Sequence, residues 1–403
     1  MDETSVRYEG WRVVAASGVG VFVTSVVVVT FAVFLKPISE EFSWSRETVS
    51  SAFGIAAVMA GLSAAPLGHL FDRFGARRIV VPALLVLGCT FGSLAALTPR
   101  VWHLYVASGL LGAAGISTSV MAYARTIATW FDRRRGTALA LVITGASLGG
   151  IVHPPATQAL IGVIGWRRSY ALLGAAMLAI GVPMALRFVR ERPSTRSVSE
   201  PPAGVSPREG LRTRIFWTLI VVLFCSSMIQ NAAIVHLPAL LTDRGVPAGR
   251  SAIALSTMAA AAIIGRLVTG WLIDRWFAAR IAFVTLAITA LGTFLLSDAH
   301  SFAMGAVSAA LIGIGVGSEA DVVPYLLSRY FGLRFFSTLY GFTWIATAFA
   351  AAAGPILMGR AFDATGTYET ILVRLAAIML AAAALMLTMP DYTVRPAQAV
   401  SGV

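Results

Sequence analysis

Apolar runs of nearly uniform length, separated by short charged or glycine- and proline-containing punctuation, dominate this chain and restrict its folding more than any other feature. They fall at about 11 to 35, 47 to 70, 79 to 97, 102 to 129, 136 to 161 and 167 to 189, and after a gap at about 215 to 241, 250 to 273, 279 to 297, 300 to 327, 335 to 359 and 368 to 389. A helix needs roughly 20 mostly apolar residues to cross a bilayer, and each run meets or approaches that length. Inside lipid every backbone N–H and C=O must be satisfied within the protein. The runs are far too long for barrel strands, which leaves helices. The expected class is an all-α polytopic membrane protein with twelve transmembrane helices. Of the 403 residues, 57% are hydrophobic and 12% charged, against about a quarter charged in a soluble domain. That composition excludes a soluble enzyme, a disulfide-stapled secreted domain and a disordered chain.

The 31 Lys and Arg outnumber the 19 Asp and Glu, but they sit in short clusters between apolar runs instead of on one face, so no nucleic acid partner is expected. Cys89 and Cys225 both lie inside apolar runs and give no disulfide framework. The run from 13 to 35 is too long for a signal-peptide core, and no A-x-A-like site follows it. With the N-terminus in the cytoplasm, twenty basic residues fall on that side and nine on the other, with Arg125 and Arg266 inside runs. This asymmetry predicts a multi-pass protein of the cell membrane with both termini cytoplasmic. Residues 190 to 214, rich in Ser, Pro and charge, read as a flexible cytoplasmic linker between an N-terminal bundle, 1 to 189, and a C-terminal bundle, 215 to 403.

The halves repeat. Gly68-His-Leu-Phe-Asp72-Arg73 has a counterpart in Gly270-Trp-Leu-Ile-Asp274-Arg275 at an offset of 202, Trp130-Phe131 matches Tyr330-Phe331, and Pro154-Pro155 matches Pro355. The segment GHLFDRFGARR, 68 to 78, resembles the signature between the second and third spans of the major facilitator superfamily. Within that superfamily EFSWSR (41 to 46), WFDRRRG (130 to 136), TDRG (242 to 245), SRYFG (328 to 332) and GPILMGRAFDATGTY (354 to 368) resemble the monocarboxylate transporter and oxalate/formate antiporter group.

The resemblance implies two pseudo-symmetric six-helix bundles around a central cavity, alternating access by rocking of the halves, and a site near the midplane. It implies a conformational latch on the cytoplasmic side, made of Gly68, Asp72, Arg73, Gly75, Arg77 and Arg78, with a weaker copy at Asp274 and Arg275. Gly75 is the residue there suited to a positive φ. The alternative is that these arginines serve topology alone. Arg266-xxx-Gly270-xxx-Asp274 matches the eighth-span pattern in which the group carries its carboxylate-binding arginine. A guanidinium grips a carboxylate through two parallel hydrogen bonds and keeps its charge. The alternative is a structural ion pair to Glu319 or Asp321. This chain departs from the group in having Ala262 where animal members have an aspartate, an apolar residue near Val29 in place of the first-span lysine, and no charge at Ala346-Thr347. One C-half arginine suits one carboxylate better than two.

Arg125, Arg266, Glu319 and Asp321 are the formally charged residues well inside runs, and an ionisable group in that setting points to function. Glu319 and Asp321 stand about 200° apart on a helix. Asp321 shares a face with Tyr325, which favours it as the cavity-facing, proton-coupling carboxylate. Glu319 then meets a donor on a neighbouring segment. Arg125, beside Tyr123, is either a second anion contact or the partner of Asp321. On the seventh span Asn231 and Ser227 share a face, as substrate ligands or helix bridges. Other aromatic residues along the runs read as lipid or packing contacts.

The expected activity is secondary transport of a small organic anion, most simply a monocarboxylate of the lactate or pyruvate type, together with a proton and by a monomer. The competing transport reading is exchange or export of dicarboxylates or bulkier amphipathic compounds. No nucleophile with a base, no metal-ligand spacing and no phosphate loop supports an enzyme, a sensor or an ATP-driven pump, and no cofactor is expected.

Overall fold

In the computed structural model the described residues are 8–119, 123, 126–127, 129–131, 134–189, 205–332 and 335–391. Every regular element among them is helical. The first span is a continuous apolar stretch from Glu9 to Phe42, divided into Glu9–Val29 and Phe31–Phe42 at Thr30, whose hydroxyl donates to Val26 O at 2.7 Å. The second is Arg46–Phe74, the third Ala76–Ala96, and the fourth contains the shorter helix Val101–Ile116. The stretch Thr137–Phe188 is 52 residues long, about 78 Å of helix and twice a bilayer crossing. Gly165, at φ 79° and ψ 160°, divides it into the fifth and sixth spans. The others are Arg214–Asp243, Ala248–Ile273, Ala278–Ser297, Phe302–Phe331, Phe336–Thr365 and Glu369–Met386. Among the described residues these apolar helical stretches follow the runs of the sequence, most ends displaced by a few residues; of the fourth run, Val101–Ile116 is the helix described, and much of the remainder lies outside the described residues.

Side chains start several of them. Ser45 Oγ accepts from Thr48 N at 3.1 Å, Thr213 Oγ1 from Phe216 N at 3.2 Å, and Ser301 Oγ from Met304 N at 3.2 Å, satisfying amide groups that a helix N-terminus leaves without partners.

The chain forms two compact units, Met1–Arg196 with Pro247–Ser256, and Ser197–Val246 with Thr257–Val403. In the first unit the first span packs on the fifth, the second on the fourth and the third on the sixth. In the second unit the seventh packs on the eleventh, the ninth on the twelfth, and the eighth on the tenth through close glycine contacts. The repeat seen in the sequence therefore recurs as a repeat of helix pairing. The first unit's core gathers Val13, Val21, Val80, Tyr123, Phe131 and Val142.

Two expectations change in detail. Residues 68 to 74 are the last turns of the second span, so the signature turn consists of Gly75 alone, at φ 78°. That angle is one L side chains rarely adopt. Its positional counterpart at offset 202 is Phe277, which cannot make so tight a turn, and there the chain takes residues 274 to 277 to reach the next helix. The end of the linker is also folded. Pro207–Gly210 is a helical turn closed by a capping box between Ser206 and Glu209, and Val205 N donates to Phe331 O at 2.9 Å. Hydrogen bonds from the Ser206 hydroxyl and backbone hold the Glu209 carboxyl below its ordinary pKa.

In each unit an arginine closes a helix terminus. Arg167 donates to Ala95 O at 3.0 Å and Leu97 O at 2.8 Å, and pairs with Glu41 at 2.7 Å. Trp166 Nε1 donates to the other Glu41 oxygen at 2.5 Å. In the second unit Arg244 donates to Leu296 O at 2.9 Å, Ser297 O at 2.5 Å and Ala299 O at 3.3 Å, with Glu369 at 4.0 Å. Burial lowers the Arg244 pKa, and the Glu369 and Asp298 charges oppose that effect.

Candidate functional site

Close approach of two helices sets the site in the second unit. A Cβ at Gly317 would collide with the Ala262 carbonyl and stand 2.8 Å from Arg266 N; one at Gly313 would collide with Met258 O, and one at Gly265 would lie 2.5 Å from Ile314 O. Small residues at these positions let the backbones of the eighth and tenth spans touch. Thr269 and Ser318 share a hydrogen bond of 2.7 Å across the same contact.

One turn further along, Arg266 Nε lies 3.9 Å from Asp321 Oδ1. That is an ion pair without a hydrogen bond, since an N–H···O bond lies nearer 2.9 Å. The Nε atom is buried and has no hydrogen-bond partner. The Arg266 and Asp321 side chains are 40% and 31% exposed.

Glu319 faces the other way, as the 200° rotation requires. Its Oε1 accepts from Ser227 Oγ of the seventh span at 2.5 Å, and its buried Oε2 has no partner. Ser226 and Gln230, both buried, lie beside it, with Gln230 Nε2 donating to Ser226 Oγ at 2.8 Å. Asn231 donates to Ser227 O at 2.8 Å, one turn back on its own helix. Tyr325 is one turn beyond Asp321, with Arg329 Cζ 6.0 Å from its ring centre. His236 is fully buried between Tyr368 Oη at 3.1 Å and Pro355 O at 2.9 Å, a helix bridge.

One group escaped the sequence reading. Tyr340, on the eleventh span, stacks on Phe336 with ring centres 5.4 Å apart and meets Trp344 edge-on at 6.2 Å. Nothing marked it among the aromatic residues of an apolar run.

In the first unit Tyr123 is 1% exposed, with its hydroxyl against Gly20. Arg125 lies outside the described residues. Of the latch set, Arg73, Arg77 and Arg78 are exposed around the Gly75 turn, with Arg73 over the Phe74 ring at 5.3 Å. Gly68 and Asp72 are helical. In the second unit Asp274 and Arg275 are exposed, and Arg275 lies over Trp271 at 4.1 Å.

Comparison with known proteins agrees with this architecture. Monocarboxylate transporter 11 of Homo sapiens is 26% identical over 401 residues, spanning 94% of this chain and 83% of its own length. The aspyridones efflux protein apdF of Emericella nidulans is 25% identical over 316 residues, spanning 78% of this chain and 63% of its own. A solved bacterial homolog of the human lysosomal transporter Spinster superposes with a TM-score of 0.76 at 17% identity, covering 95% of this chain and 97% of that one. The sequence profile of the Major Facilitator Superfamily matches residues 17–355. A match of that extent, on apolar helices paired as an internal repeat, makes this chain a multi-pass membrane transporter, not an enzyme, and a member of the Major Facilitator Superfamily.

Proposed function

We propose that the chain is a secondary transporter in the cell membrane that moves a small organic anion with a single carboxylate, coupled to a proton, by alternating access between a 1 to 189 half and a 215 to 403 half. The observation that carries this reading is the guanidinium of Arg266, inside a membrane span, opposed by Asp321 at 3.9 Å without a hydrogen bond. The substrate carboxylate takes the η-nitrogens, and Asp321 is the proton site. A proton on Asp321 removes the charge that competes with the substrate for Arg266, which couples the two binding events in both directions. Glu319, tied to Ser227, is the alternative proton site. Asn231 and Tyr325 stand on the same two helices as further substrate contacts. The latch residues around Asp72 and Gly75, and the weaker set at Asp274 and Arg275, bias the open and closed cytoplasmic states. Similarity to monocarboxylate transporter 11 supports the substrate class.

Uptake of labelled mono- and dicarboxylates into proteoliposomes under an imposed pH gradient tests the proposal. Arg266→Lys keeps the charge but loses the planar fork, and is expected to weaken monocarboxylate affinity at least tenfold. Unchanged affinity in that variant overturns the reading. A second reading, export instead of uptake, is favoured by similarity to the efflux protein. Accumulation confined to inside-out vesicles would establish it.

A further inference from the structure

A cavity of about 320 Å³ opens in the first unit, lined by Glu9, Arg12, Val13, Trp130, Arg187 and Phe188. That volume stands at the lower end of the range for ligand pockets, about 300 Å³ and upward. The walls come from the ends of three spans. Glu9 is the first residue of the first span, and Arg187 and Phe188 are the last two of the sixth. Trp130 is helical and Phe131, after it, is not. Ends of membrane-length helices lie at the level of the lipid headgroups, where Trp and Tyr gather. The neighbouring rings agree with that level. Tyr8 Oη donates to Trp130 O, Tyr8 meets Phe131 edge-on at 5.3 Å, and Trp11 tilts against Phe131 at 4.8 Å. This cluster fastens the start of the first span to the end of the fourth and fixes two walls of the cavity.

The charges in those walls are of both signs and are not paired with one another. Glu9 and Arg12, three residues apart, share a face of the first span. Arg187 comes from the sixth, its Cζ 5.7 Å from the Phe188 ring centre. Among the described residues no ion pair involves any of the three, and all three are exposed. Arginines that serve topology alone need no cavity between them and no carboxylate beside them. Two cations and one anion around a pocket at headgroup depth complement a ligand that carries a phosphate and an ammonium on one short chain. Basic pockets between membrane helices hold lipid headgroups, and a guanidinium grips phosphate oxygens in pairs.

We propose that this cavity binds the phosphoethanolamine headgroup of an aminophospholipid, with the phosphate between Arg12 and Arg187 and the ammonium on Glu9. A primary ammonium presents three N–H donors to the carboxylate, as a lysine does. The trimethylammonium of a choline lipid presents none, and a glycerol headgroup carries no cation. Glu9 therefore selects the headgroup, and the arginines supply affinity. A bound lipid joins the first span to the sixth across the cavity.

The test uses the full-length protein, purified in detergent and stripped of lipid. It is titrated with phosphatidylethanolamine, phosphatidylcholine or phosphatidylglycerol of the same acyl chains, and bound lipid is counted by native mass spectrometry. Half-saturation for phosphatidylethanolamine is expected about fivefold or more below that for either of the others, the contribution of one exposed hydrogen bond between charged groups. Glu9→Gln is expected to abolish the preference while leaving phosphatidylcholine within about twofold. Arg12→Gln combined with Arg187→Gln is expected to weaken all three lipids at least tenfold, at about fivefold per arginine. Arg208→Gln, on the linker turn, is expected to change none of them. Equal half-saturation for the three lipids, tighter binding of phosphatidylglycerol than of phosphatidylethanolamine, or a preference that survives Glu9→Gln overturns the inference. Glu9→Gln alters an exposed side chain and decides the matter even where the double arginine variant folds poorly. Soluble glycerophosphoethanolamine separates a lipid site from a site for the free phosphoester. Displacement of the lipid at equal concentration overturns the lipid reading, and retention of the lipid at about a hundredfold excess supports it.

Discussion

Gly317→Ala adds one carbon where the eighth and tenth spans touch. That carbon would collide with the Ala262 carbonyl oxygen and stand 2.8 Å from both Ala262 C and Arg266 N, whereas ordinary contact begins near 3.4 Å. The obstructing atoms are backbone, so no rotamer change relieves the clash. The Ala262 oxygen is the nearest obstacle, so the helices must separate by roughly 1 Å or more. Overpacking of this kind costs about 1 to 3 kcal/mol, and the better helix propensity of alanine returns about 0.5 to 1 kcal/mol, for a net loss of up to about 2.5 kcal/mol. The same displacement stretches the Arg266–Asp321 pair from 3.9 Å to about 5 Å. At an effective dielectric of about 20 its attraction then weakens by about 1 kcal/mol. Because Asp321 competes with the substrate for Arg266, a looser pair does not cost affinity, and stability is expected to fall while substrate affinity does not. Thermal unfolding of purified protein in detergent, alongside uptake, reads both. Gly341→Ala is the control, because a carbon there meets nothing within 4 Å. A Gly317→Ala protein as stable as Gly341→Ala would refute the close-packing account of how Arg266 is positioned.

Asp321→Asn is expected to abolish accumulation driven by a pH gradient while preserving exchange of substrate for substrate, which needs no net proton movement; full response to the gradient in uptake assays transfers the role to Glu319. Arg167→Ala removes two carbonyl contacts and the Glu41 pair, and because those groups are partly exposed the expected loss is about 1 to 3 kcal/mol in thermal unfolding; Arg167→Lys is expected to restore less than half of it, lacking the fork. A cysteine in place of Ala203 is expected to react with an impermeant thiol reagent only after cells are permeabilised, as the basic-residue asymmetry requires.

The spans were legible because the bilayer imposes one length and one polarity on all of them, and the internal repeat exposed their grouping. Arg266, Glu319 and Asp321 could be picked out because a charge in an apolar run is conspicuous, and helical rotation alone separated the faces of Glu319 and Asp321. Tyr340 and Trp344 were invisible for the opposite reason, since an aromatic ring in an apolar run looks the same whether it meets lipid, a neighbouring helix or a ligand. Arg167 and Arg244 were read only as topological charge. Their geometry depends on carbonyls far away in sequence, Ala95 and Leu97 for one and Leu296, Ser297 and Ala299 for the other, and no local pattern announces such partners.

Those two arginines also bear on how the halves are to be aligned. At the offset of 202 the carbonyls of Ala95 and Leu97 superimpose on those of Ser297 and Ala299, but Arg167 falls on Glu369 and Glu41 on Asp243, the neighbour of Arg244. The acceptors occupy matching positions in the two halves, while the donor and its counter-ion stand on exchanged helices, Arg167 and Glu369 on the sixth and twelfth spans and Glu41 and Arg244 at the ends of the first and seventh. Column-by-column comparison would score one reversal of sign, at 167 and 369, and one retained acid, at 41 and 243, and miss that the electrical circuit is intact. Glycines that let backbones touch can be transferred from one half to the other by position; charged pairs have to be transferred by what they connect.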